Sequence, residues 1–367
     1  MKRYTTLLFG VVLAVSLGML TLCRTSGVKA AGAPVVDQWI STTPFNNPRV
    51  AHRSVRYGNH LYVMGGYYFD FNVGLVLYND VQYASLANDG SIVGGWNYTT
   101  PFQTPRLGHA AALNNGYVYI IAGGDGFSFF NDVQYAKLNS DGTVASDGWH
   151  TTSSLNVPRS NAEAVVRKVG NTTYLYVVGG VGQVGDNFPH FNTTEYAVIN
   201  ADGSLGPFTL SPSTFNKGRS ALGTLIVDGN LYVIGGWGDD FLADIFDDVQ
   251  FAHLNNDGSI GPWTTSQNKI HTRRYGHTAV LSPQDDQTMV ILGGNHGEGQ
   301  YLNDVQFATV GPTGETSPWT QLSADNNFPN PRWGHTSVTY KSFVYVIGGS
   351  IPGGFLNDVQ YRRLDVP

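Results

Sequence analysis

The sequence predicts an all-β fold, a six-bladed β-propeller with four antiparallel strands in each blade. Three observations predict it. The same features recur in the same order six times, at a period of 52 to 61 residues. Self-similarity on that scale marks a repeat architecture in which each unit is one supersecondary element. Each unit holds four short apolar or aromatic runs separated by Gly, Asn and Asp, which reads as four strands joined by turns. Finally, each end of the chain has what the other lacks: Trp39 sits on a fourth strand with none before it, and the last unit stops at Pro367 after three.

A unit opens on an arginine: Arg49, Arg106, Arg159, Arg219, Arg274 and Arg332. Strand a follows it. Strand b is a Tyr/Val/Ile run ending in a diglycine, as at Gly65-Gly66, Gly123-Gly124, Gly179-Gly180, Gly235-Gly236, Gly293-Gly294 and Gly348-Gly349. Strand c starts at Asn79-Asp80, Asn131-Asp132, Asn192-Thr193, Asp247-Asp248, Asn303-Asp304 and Asn357-Asp358. Strand d carries Trp39, Trp96, Trp149, Phe208, Trp263 or Trp319. The a–b and c–d links are short, for example Asn114-Asn115-Gly116 and Asn88-Asp89-Gly90. Asn, Asp and Gly tolerate the positive φ that tight hairpins need. The strand near Val35–Ile40 is expected to complete the sixth blade as its strand d, closing the ring and leaving fewer open edges.

Composition agrees. Charged residues are only 13%, and of 27 acids just four are glutamate: Glu163, Glu195, Glu298 and Glu315. Asp suits turns and Glu suits helices, so the split favours turn-rich β structure. The net charge of −6 gives no reason to expect nucleic acid. Met1-Lys2-Arg3, the apolar run Leu7–Cys23 and the small residues Ala30, Ala31 and Ala33 read as an export signal over residues 1–33. The run is also long enough to serve as an uncleaved anchor. The propeller then occupies residues 34–367, and the chain is expected in the periplasm, at the cell surface or secreted. Cys23 is the only cysteine, so the mature chain can form no disulfide and depends on a large core.

With its diglycines, the Tyr on strand c and the Trp on strand d, the sequence from about Val35 to Pro367 resembles the kelch-repeat family. The resemblance implies the propeller fold. It leaves function open, because kelch propellers serve as protein-binding modules, as sugar-binding proteins and, in a few cases, as enzymes. A copper radical oxidase similar to galactose oxidase needs a cysteine cross-linked to its tyrosine ligand, which the mature chain lacks. The bacterial sialic acid mutarotase, also a six-bladed propeller, implies a carboxylate and an arginine. Glu163 with Arg53, or Glu298, are the candidates here.

In an up-down meander the b–c and d–a links share one face, and here they are long and unlike, whereas the other face has only tight turns. Variable loops on a rigid scaffold are where binding concentrates. Tyr67, Tyr68, Asp125, Phe127, Trp237, Asn295 and His296 offer aromatic faces with polar groups nearby, which suits a glycan or a protein ligand. The residue after each diglycine is Tyr67, Asp125, Val181, Trp237, Asn295 or Ser350, so those six are expected around the axis, with Trp237 as the anchor. The alternative is that these aromatics only cover the blade tops. Asp239, Asp240 and Asp244 crowd one loop, an oxygen-rich stretch that suits either calcium or plain solvation. No other cofactor is expected, and the ring is expected to be monomeric.

Two further expectations concern charge. Each repeated Arg should pair with the Asp that starts a strand c, with Arg159 the exception because its unit has Thr193 there. Arg53 and Glu163 interrupt a register on strand a that is otherwise Ala110, Gly223, Thr278 and Thr336, and both should reach the central channel. His52, His109, His277 and His335 recur just after the Arg, where two units have Ala162 and Leu222. Apolar replacement indicates packing.

Overall fold

Strand b of each unit is a continuous apolar run because both of its faces are covered. Leu61, Tyr62, Val63 and Met64 are all fully buried, and so are their counterparts in the other units. The computed structural model describes residues 38–240 and 243–366 and contains six four-stranded antiparallel sheets. Blade 1, for example, is Arg53–Tyr57, His60–Met64, Val81–Leu86 and Ile92–Thr99, in that order from the axis outward. The a strands of neighbouring blades contact one another all the way round, including blade 6 to blade 1. The N-terminal strand Ile40–Thr42 pairs with Gly354–Arg363, Ile40 opposite Tyr361, and is the outermost strand of blade 6. The expected closure is therefore present. The export-signal reading of residues 1–33 lies outside the described residues. Among the described residues, no helix is long and apolar enough to cross a membrane.

Six apolar clusters hold the ring, one at each blade interface. The repeated residues tie neighbouring blades together. The phenols of Tyr119, Tyr176, Tyr232 and Tyr345 donate to the turn carbonyls of Gly203, Gly258, Gly314 and Gly90 in the next blade. The indoles of Trp39, Trp96 and Trp149 donate to Asn326, Thr43 and Thr100 on the adjoining link. A Cβ at Gly65 would lie 2.7 Å from His109 Cε1, so the glycine is there to admit the next blade's imidazole. Leu222 takes that place against Gly179, which confirms packing as the role of the position.

The six repeated arginines are fully buried charges. Arg49, Arg106, Arg219, Arg274 and Arg332 each form a two-pronged pair with the Asp of their own blade: Asp80, Asp132, Asp248, Asp304 and Asp358. Each also donates to a carbonyl at the end of strand b, such as Gly65 or Gly348. Burial opposes ionisation of Asp132 and Asp304, but the guanidiniums more than offset it and hold both carboxyls below their usual range. Blade 3 is the expected exception, with a difference: Glu195 stands where the other blades have Gln and takes Arg159 at 2.7 Å. Its other oxygen accepts the Asn156 amide, the role Gln82 performs with Asn46. One glutamate thus does the work of an Asp and a Gln.

The structure corrects one alignment. In blade 2 the bond made by the Gly65 amide to Asp80 is made by Ala122 to Asp132. Ala122, at φ 55°, and Gly123 are the structural counterparts of the diglycine. A left-handed alanine costs about 1 kcal/mol, which is why the Gly123-Gly124 pair is misleading in the sequence.

Two outcomes test this account. Glu195→Gln should strand Arg159 without a counter-charge and lower stability by about 3 kcal/mol or more. Adding Thr193→Asp should recover most of that loss, since it rebuilds the pairing of the other blades; no recovery in denaturant titrations would show that the pair is not the cause. The second outcome concerns the histidines. Burial first, and then nearby arginines, push His52, His109 and His335 well below the ordinary 6.5 and His277 down to about 3. The unfolded chain binds protons that the folded blades refuse. Stability is therefore full above pH 6.5 and falls as the pH drops below it, by up to about 1.4 kcal/mol per pH unit for each histidine. An equal urea midpoint at pH 7 and pH 5 would contradict this.

Candidate functional site

Two residues after each repeated Arg comes Ala51, Gly108, Asn161, Ala221, Gly276 or Gly334. All have φ between 49° and 61°, which turns their amides along the ring. Each N–H donates to the carbonyl of its counterpart in the preceding blade: Gly108 to Ala51 at 3.0 Å, Asn161 to Gly108, Ala221 to Asn161, Gly276 to Ala221, Gly334 to Gly276, and Ala51 to Gly334 at 3.2 Å. Six backbone bonds form a closed circle around the axis at the long-loop end. The sequence carried a signal for it, Gly, Ala or Asn at that place in every unit, and the expectations above did not use it.

Arg53 and Glu163 do reach the channel, immediately beneath this circle. They face each other from blades 1 and 3 and pair at 2.7 Å. Burial pushes the Glu163 carboxyl up, and Arg53 partly opposes the shift. The space beside them amounts to cavities of about 40 and 100 Å³. Ligand pockets usually hold about 300 Å³ or more, so this space suits water. Glu298 is exposed in a blade 5 loop at φ 52° and does not line these cavities.

The long-loop face lies outside the circle. The residue preceding each circle position bridges to the first residue of a b–c loop: Val50 with Tyr67, Leu107 with Gly124, Ser160 with Val181, Ser220 with Trp237, Tyr275 with Asn295, and Trp333 with Ser350. The blade 2 member of this ring is Gly124. The expectation that Asp125 belongs to it is incorrect, and the cause is the one-residue shift at Ala122. Asp125 Oδ1 instead accepts the amides of Phe127 and Ser128, which holds its carboxyl below the usual range and shapes its own loop.

The other predicted residues are dispersed. Tyr67 and Tyr68 pack edge-on against Phe355 and line a groove of about 710 Å³ with Phe71, Tyr301 and Ile351. Trp237 is half-buried between His190, at 5.3 Å, and Tyr275, at 5.5 Å. Asn295 is buried, and its amide donates to the Tyr275 hydroxyl while its oxygen accepts Gly297. His296 Nδ1 lies 3.1 Å from the Arg273 carbonyl. Asp239 holds the His190 ring and amide, and Asp244 pairs with Lys217 at 3.0 Å. The Asp240 amide bonds Asp244, and its Oδ1 accepts Ala243. Among the described residues, no three His, Cys, Asp or Glu side chains converge to hold a metal.

Apart from Phe127, the sequence expectations missed an apolar crest. Among the described residues, seven of the twelve exposed large hydrophobics stand on the b–c loops of blades 1 to 3. Phe69, Phe71, Val73 and Leu75 belong to a hairpin in the blade 1 loop, Tyr67–Asp70 paired with Gly74–Leu77. Phe127 stands on blade 2, and Val184 and Phe188 on blade 3. The loops touch: a Cβ at Gly126 would meet Leu75 at 3.0 Å, and the Phe129 and Phe188 rings lie 6.1 Å apart. The signal was the phenylalanine density of these loops.

Trp237 and Phe127 are therefore expected to behave differently. Trp237→Ala should destabilise the protein, because its ring is sandwiched, by about 2 kcal/mol or more. Phe127→Ala, at an 89% exposed side chain, should stay within about 0.5 kcal/mol of the parent. Thermal denaturation of the two variants checks this; equal stabilities would remove Trp237 from the scaffold.

Comparison with known proteins fits this geometry. The KLHDC2/KLHL20/DRC7 Kelch-repeats domain matches residues 223–366. The chain is similar to Kelch repeat-containing protein 2 of Saccharomyces cerevisiae, 30% identical over 36% of this chain and 15% of that protein. It is also similar to the Leucine-zipper-like transcriptional regulator 1 homolog of Drosophila melanogaster, 24% identical over 54% of this chain and 20% of the relative. A third relative is the tRNA wybutosine-synthesizing protein 2/3/4 of Arabidopsis thaliana, 33% identical over 27% of this chain and 9% of that one. The chain thus spans a fifth or less of each relative. The match over residues 223–366, the six four-stranded sheets and the strand that closes them make this chain a six-bladed β-propeller similar to the kelch-repeat proteins.

Proposed function

We propose that the chain is an exported protein-binding module that engages its ligand on the long-loop face. The observation that carries this reading is the crest of exposed phenylalanines on blades 1 to 3. A large contiguous apolar patch on a soluble protein marks an interaction surface. The crest rides on loops that are already shaped by hairpin pairing and carboxylate caps, so little ordering is lost on binding. The basic start and apolar run before residue 34 support export. Catalysis in the channel is the weaker reading, since Arg53 and Glu163 neutralise each other in a space sized for water.

The test is a parallel selection, with the protein minus residues 1–33 probed by a phage-displayed peptide library and by a glycan array. Ligands should come from the peptide arm. Phe71→Asp combined with Phe127→Asp should weaken them at least about tenfold. Asn115→Asp, on the tight-turn face, should leave them unchanged. Loss of binding from Asn115→Asp alone, or ligands from the glycan arm only, would overturn the reading.

A further inference from the structure

We propose that the cleft between the blade 2 and blade 3 loops takes an extended peptide with one large apolar side chain flanked by lysine or arginine. The inference rests on the long-loop face being the binding face and adds the chemistry of the ligand. The cleft has a volume of about 440 Å³, within the usual range of a built pocket. Phe127, Phe129 and Phe188 wall it, and Leu107 and Val181 contribute to its base. Phe127 and Phe188 are 89% and 58% exposed, so their outward faces have no cover within the chain. Aromatic walls at this spacing accept the edge or face of one Phe-, Leu- or Met-sized side chain.

Both walls are preformed. Asp125 caps the turn that presents Phe127, and Phe130 N–H closes that loop on the Gly123 carbonyl. On blade 3, Val184 and Asn187 exchange both backbone bonds, which sets Asp186 at the tip of a tight turn. A rigid cleft of this kind selects by shape, because it has few ways to adapt.

Charge supplies the second half of the specification. The three loops of the crest carry Asp70, Asp125 and Asp186 and no lysine or arginine. The nearest repeated arginines, Arg106 and Arg159, are buried and paired with Asp132 and Glu195. A ligand above the cleft therefore meets apolar walls on loops whose fixed charges, Asp125 and Asp186, are both acidic, and cations on either side of the anchor are favoured. The same charges disfavour the other occupants. A second copy of the chain would bring these carboxylates against their own kind, and an anionic membrane attracts basic segments, which these loops lack.

The experiment uses the propeller without residues 1–33 and synthetic decapeptides with a central Phe flanked by two lysines on each side. Controls carry a central Ala, or glutamates in place of the lysines. Phosphatidylcholine and phosphatidylserine vesicles form a separate arm. The lysine–Phe peptide should bind at least about tenfold tighter than either control. Phe188→Ala should lower that affinity by a similar factor while the melting temperature holds. Asp125→Asn with Asp186→Asn should weaken binding and flatten its salt dependence, and Asn at 125 keeps the oxygen that caps the turn. Equal binding of the three peptides, tighter binding of the glutamate peptide, or vesicle binding that Phe188→Ala abolishes would each overturn the proposal. Binding that is lost with Tyr68→Ala and kept with Phe188→Ala would refute this cleft while leaving the long-loop face as the binding face. Loss confined to Asn115→Asp would refute that face itself.

Discussion

The interaction on which the rest of the structure depends is the buried pair between the repeated arginine and the carboxylate of its own strand c. A guanidinium at zero exposure is tolerable only if every donor is used, and the neighbouring groups are placed to use them. In blade 1, Arg49 reaches Asp80, the Gly65 carbonyl, and the carbonyls of Asn46 and Asn47. One side chain thereby joins the end of strand b, the start of strand c and the link that enters strand a. Those are the three backbone points from which the long loops leave the scaffold. The blade 3 exchange shows what is being preserved. The carboxylate moves from position 193 to Glu195 and the pair survives.

Because the pair fixes the entry to strand a, it also fixes what lies two residues beyond it. The circle of six amides requires each blade to offer a residue in a left-handed conformation, here Gly, Ala or Asn, at one height on the axis. Single backbone bonds are modest in net worth, about 1 kcal/mol each, but their placement decides access. They ring the channel at the loop end, and the Arg53–Glu163 pair stands in the space beneath. The relation between blades is set in the same way by small contacts repeated many times: phenol to turn carbonyl, indole to link, imidazole against glycine.

The loop face divides into two unlike halves. Over blades 4 and 5 the aromatic and acidic residues satisfy each other. Trp237 is held by His190 and Tyr275, Asn295 by Tyr275, and Asp239 by His190. Over blades 1 to 3 the loops are stiff and their phenylalanines face outward. Residue type alone made Trp237 the more attractive anchor, since indole is the largest stacking surface. In the structure the Trp237 ring is held between His190 and Tyr275, whereas Phe127 is exposed.

The sequence by itself determined the fold, the blade number, the closing strand and the arginine–aspartate pairing. All four follow from recurrence, since a feature present in every unit must serve what every unit shares. It also placed Arg53 and Glu163 in the channel, because strand a has one inward register. Three things were decided only by tertiary structure. The blade 2 register turned on a backbone conformation, Ala122 standing where other blades have glycine, which no count of glycines reveals. The circle around the channel depends on bonds between backbones of different blades, whose residue signature is only Gly, Ala or Asn at one position. The division of the loop face depends on which side chains meet across blades, as Trp237 meets His190 and Tyr275 while Phe127 meets solvent. Exposure is a property of neighbours far apart in the chain, and local residue type does not carry it.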